Sequence, residues 1–123
     1  MADVVFWLYS ANATLLIVHE IESAYREEWK LFRLPGGISF FLIVHLPLVF
    51  LILYGLVQVE QASLAGKILS LVLALAGLFA FSIHTFFNYK GHPEFKTPIS
   101  LLILIAILGV SAAQLVITIL WLG

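Results

Sequence analysis

Apolar residues run along this chain in four long blocks separated by short polar stretches. Roughly residues 4–25, 38–58, 66–88 and 97–122 are dominated by Leu, Ile, Val, Phe and Ala, and a helix that crosses a bilayer needs about 20 such residues. The breaks carry turn chemistry: Pro35-Gly36-Gly37, Gln61-Ala62-Ser63 and Gly91-His92-Pro93. Thr97-Pro98 reads as an N-cap followed by proline at the first helical position. Connections this short make consecutive helices antiparallel neighbours. The pattern predicts an all-α fold, a four-helix transmembrane bundle of antiparallel up-down topology, with residues 1–123 as one integral membrane domain.

Composition agrees. Hydrophobic residues make up 63% of the chain and charged residues 11%, against about 25% charged in a soluble domain. A soluble fold this short buries too little of its surface to hide that apolar load, so membrane lipids are the expected partners. The net charge of −1 lacks the basic footprint of a nucleic-acid binder. With no cysteine, disulfides, thiolate metal sites and thiol nucleophiles are excluded. No positive charge precedes Arg26, so no cleavable signal peptide is expected.

Short-loop Lys and Arg set orientation. Arg26, Lys30 and Arg33 lie in the first loop, Lys90 and Lys96 in the third, and only Lys67 on the other side. That bias places loops 26–37 and 89–96 in the cytoplasm and both termini outside, in a multi-pass cell-membrane protein. The first loop, Tyr25 to Arg33, mixes charge with large apolar side chains. It suits either an interfacial helix anchored by Trp29 or a solvated loop with one aromatic anchor.

The candidate chemistry is histidine. At about 1.5 Å per residue, His19 sits roughly 9 Å inside the end of the first helix, His45 about 10 Å into the second and His84 about 6 Å from the end of the third. His92 lies in the loop just below. Ionisable residues within spans are rare and face the bundle interior or a cavity. On the first helix Asn12, Glu22, Ser23 and Arg26 fall within about 60° of His19, at ~100° per residue, with Glu20 and Glu27 on the flank. On the third, Ser70, Gly77, Ala80, His84 and Asn88 share a face whose small residues permit close approach. Pro47, two residues after His45, either frees a carbonyl beside the site or serves packing alone. Gln114, on the weakly polar face of the fourth helix, should lie at the depth of Asn12 and bond between helices.

A His/Glu set without cysteine suits Zn²⁺, Fe²⁺ or Mn²⁺. The expected ligands are His19, Glu22, His45 and His84, with His92 or Glu94 contributed by the loop. A metal there would activate water against a lipid headgroup or isoprenoid. Other readings stay open: Glu22 or Glu20 as a metal-free acid/base, two imidazoles holding haem b, or a structural subunit of a homo-oligomer or larger membrane complex.

At His19-Glu20-Ile21-Glu22-Ser23, followed by Glu28-Trp29, the chain resembles small bacterial four-helix membrane proteins of the HXXEE-domain kind and related uncharacterised families. Ser23 stands where the second glutamate of His-x-x-Glu-Glu would fall. The resemblance implies a membrane protein with a polar site and supplies no reaction.

Overall fold

The computed structural model describes residues 1–91 and 97–123. Five helices follow one another: α1 (Ala2–Tyr25), α2 (Glu28–Leu31), α3 (Gly37–Glu60), α4 (Leu64–Tyr89) and α5 (Pro98–Leu122). All but α2 are long and apolar enough to cross a membrane. At 24 to 26 residues, each reaches about 36–39 Å at 1.5 Å per residue, more than a ~30 Å hydrocarbon core. Helices are what lipid demands, since every backbone N–H and C=O must be satisfied within the segment. The chain is thus a multi-pass membrane protein built as an α-helical bundle.

The ends obey the expected chemistry. Ser63 caps α4, its Oγ accepting from the Gly66 N–H at 3.0 Å. Thr97 caps α5, with Pro98 in the first turn. Cross-helix pairs set the directions. Along α1, Tyr9 and Glu20 meet Ile52 and His45 of α3 in reverse order. Asn12 and Glu22 likewise meet Gln114 and Ser100 of α5. Both pairings are antiparallel.

Burial is uneven among the spans. Helix α5 packs on α4 and α1, and α3 packs on the same two helices and makes no packing contact with α5 among the described residues. Of the spans in contact, α1 and α4 touch each other least. Only Gly55 and Val59 of α3 are buried. The apolar core comprises Val5, Tyr9, Ala13, Leu16, Val59, Leu73 and Ile107. Between α1, α4 and α5 lies a polar seam. The Asn12 amide donates to Gln114 Oε1 at 2.7 Å, and Gln114 Nε2 donates to the carbonyl and hydroxyl oxygens of Ser70, each at 3.0 Å. Ser70 in turn pairs with Thr118 at 2.8 Å. Gln114 therefore does meet Asn12 at one depth, as its position implied.

The first loop carries a short helix, α2, as one of the two sequence readings expected, and its Trp29 is buried. Glu27 adopts a left-handed conformation (φ 55°), which turns the chain back beneath the bundle. The four-residue α2 then buries Trp29 against Phe41, 5.8 Å between ring centroids. Trp29 packs on protein, where a headgroup anchor had been one expectation.

Candidate functional site

A cavity of about 670 Å³ opens between α1, α3 and α4, beside α1 and α4, which of the spans in contact touch each other least. Its walls are almost wholly apolar. Along α4 it runs from Leu69 to His84, about 22 Å at 1.5 Å per residue. Tyr9 lines the far end, where its hydroxyl donates to the Ile52 carbonyl oxygen at 2.7 Å. The other ionisable lining groups gather at the opposite end: Glu20 from α1, Glu28 from α2, His45 from α3 and His84 from α4.

These four form two carboxylate–imidazole pairs. His45 Nε2 lies 2.5 Å from Glu20 Oε2, and His84 Nε2 lies 2.9 Å from Glu28 Oε1. On the far side of each ring, Nδ1 donates to a carbonyl oxygen one turn back, Phe41 at 2.7 Å for His45 and Ala80 at 2.8 Å for His84. A carbonyl only accepts, so each Nδ1 carries its hydrogen and each Nε2 faces a carboxylate. Two acceptors cannot sit that close without a proton between them. Each pair therefore holds one exchangeable proton, written either as imidazolium–carboxylate or as imidazole–carboxylic acid.

The neighbours are specific. His19 stands edge-on to His84, 4.3 Å between centroids and 89° between planes. Phe41 stacks on His45 at 3.8 Å. Burial by itself pushes the Glu28 carboxyl up. The contact with His84, the Ser23 hydroxyl and the nearby imidazoles outweigh burial and hold Glu28 below its ordinary value of 4.5.

Of the expected metal set, the structure brings His19 and His84 together in the buried interior, and turns His45 toward Glu20 on the cavity wall. Glu22 is directed elsewhere: it accepts from the Ser100 hydroxyl of α5 and lies 3.9 Å from Arg26. His92 and Glu94 lie outside the described residues. Among the described residues, no three His, Asp or Glu side chains are arranged to hold a metal ion. The carboxylates that do meet imidazoles, Glu20 and Glu28, were respectively on the flank of the polar stripe and beyond the helix. Glu20 was visible in sequence as the residue about 100° round from His19, on the side that α3 occupies. Glu28 gave no such sign, because the left-handed turn at Glu27 breaks the helical angle count.

The chain matches no curated protein and no solved structure. The His-Glu motif had implied an uncharacterised membrane family, and a family of unknown function is what the comparison returns; nothing in it concerns the HXXEE-domain kind. Residues 5–120 match that family, DUF6713, and the chain belongs to it.

Proposed function

We propose that this protein binds a lipid-like molecule in the α1/α3/α4 cavity, with the hydrocarbon along the apolar walls and the polar head at the two carboxylate–imidazole pairs. The observation that carries the reading is the segregation within the cavity. A long apolar lining ends in four ionisable groups supplied by four different helices, the pattern of a pocket with a few convergent polar groups. The head meets two groups that exchange protons, so general acid/base work on the bound molecule is available without a metal. The basic-residue bias of the loops puts this polar end on the cytoplasmic side.

The test is lipid occupancy. Protein purified in a non-ionic detergent should carry or take up one long-chain amphiphile per chain, read by native mass spectrometry. Ala76 lines the apolar stretch, and Ala76→Phe should abolish binding while the protein remains folded. Unchanged uptake by that variant would remove the cavity from consideration.

A second reading keeps the divalent cation. Imidazoles whose Nδ1–H is held by a backbone carbonyl present Nε2 as the ligand nitrogen, and a cation replacing the proton between His84 and Glu28 would find both ligands in place. Stoichiometric Zn, Fe or Mn by elemental analysis would favour it. A Soret band would point instead to haem b.

A further inference from the structure

The lining identifies the chemical class of the head, given that the cavity is the binding site. We propose that the occupant is a single-chain amphiphile with a protonated amino or quaternary ammonium headgroup.

Charge argues first. Glu20 and Glu28 both line the polar end, and among the described residues no Lys or Arg lines the cavity. Four of the six basic side chains are engaged elsewhere. Arg26 faces Glu22, Lys30 pairs with Glu27, Lys90 lies over Phe86, and Lys67 lies over Trp121 toward the other end of the spans. With its shared proton each carboxylate–imidazole pair is neutral. A cationic head can take that proton's place beside a carboxylate and be balanced there. An anionic head would find no Lys or Arg in the described lining to balance it in a low-dielectric setting.

Aromatic rings argue second, and independently. Trp29, Phe32, Phe40 and Phe41 line the same end as the carboxylates. Trp29 and Phe41 stand side by side at 5.8 Å. Phe41 gives one face to His45, which leaves Trp29, Phe32 and Phe40 as the other rings at this end. Aromatic rings beside carboxylates are a recurrent environment for ammonium groups, because the ring quadrupole attracts a desolvated cation. A neutral hydroxyl head can donate a hydrogen bond to a carboxylate but brings no charge to it and gains nothing from the ring quadrupoles.

The experiment compares hexadecylamine, hexadecyltrimethylammonium, hexadecanol and hexadecyl phosphate, each titrated into the full chain in maltoside micelles near neutral pH. Both cations should bind saturably and at least about tenfold more tightly than the alcohol or the phosphate. Glu20→Gln, and separately Trp29→Leu, should each weaken cation binding several-fold and leave hexadecanol unchanged, with size-exclusion profiles confirming folded protein. A trimethylammonium probe that binds while the primary amine does not, or the reverse, supports the ammonium class and narrows it. Equal or tighter binding of the phosphate overturns the inference. So does cation binding that is insensitive to both substitutions. If the alcohol and phosphate bind saturably and Ala76→Phe blocks them, the cavity stands and the ammonium assignment alone falls. If none of the four binds saturably, both fall.

Discussion

Single residues decide the site's chemistry through what lies on the second face of each ring. Nδ1 of His45 and of His84 is committed to a backbone carbonyl, so each Nε2 is the nitrogen that faces a carboxylate. Of the two carboxylates, Glu28 lies outside the spans, and its folded-state value is held below the ordinary 4.5. A depressed carboxylate stabilises the fold fully above the unfolded value and loses that contribution as pH falls through the folded one. Stability of the wild type should therefore drop as pH falls below 4.5. Glu28→Gln should be less stable near neutrality by about 1–3 kcal/mol and should show a shallower acid limb. Denaturation midpoints at pH 7 and pH 3.5 check both statements. Equal acid sensitivity in the two proteins would mean that Glu28 contributes nothing to the pH dependence. The turn at Glu27, a non-glycine residue at φ 55°, costs backbone energy, and it is what carries Glu28 and Trp29 under the bundle.

At the scale of helices, α1 and α4 each face two neighbours, α5 and α3. Toward α5 the contact is close and polar, and in lipid such contacts rest on packing and interhelical hydrogen bonds. Gln114 bonds to α1 and α4 at once, so Gln114→Leu should cost about 1–2 kcal/mol and leave Asn12 without its acceptor. A double-mutant cycle with Asn12→Ala reads the coupling; additive losses would mean the seam is not cooperative. Gly77 faces Ser111 so closely that an added Cβ would overlap the Ser111 hydroxyl, and Gly77→Ala should destabilise by about 1–3 kcal/mol through overpacking. At Gly109 a Cβ would meet nothing within 4 Å. There the same substitution should be neutral or stabilising by up to about 1 kcal/mol. Thermal unfolding in detergent separates the two glycines. Toward α3 the contact is mostly apolar, with polar links at its two ends, Tyr9 to Ile52 and Glu20 to His45, and the cavity lies along it.

For the whole molecule, α5 and α3 each bridge α1 and α4, and α3 closes one wall of the pocket. Orientation in the membrane follows from loop charge, and it predicts that reporter fusions after Arg33 and after Lys90 read cytoplasmic and one after Gly123 reads external. A cytoplasmic C-terminus would reverse the side from which the polar end of the cavity is reached.

Periodicity and composition alone were enough for the helices, their antiparallel order and the chain's residence in lipid, because span length and backbone satisfaction leave a bilayer protein few alternatives. The helical angle count also marked Asn12, His19, Ser23, Ser70 and His84 as interior, and all five are buried. Which polar groups touch was another matter. Glu22 shares the stripe of His19 but reaches Ser100 on α5, while Glu20, one residue round the helix from His19, reaches His45 on α3. A helical wheel assigns each residue an angle on its own helix, whereas the neighbour found at that angle depends on how the other helices are placed. Glu28 joined the site through a backbone reversal that no period of 3.6 describes. The cavity is still less legible: it lies between α1, α3 and α4, a property of the space between helices that no single segment of sequence carries.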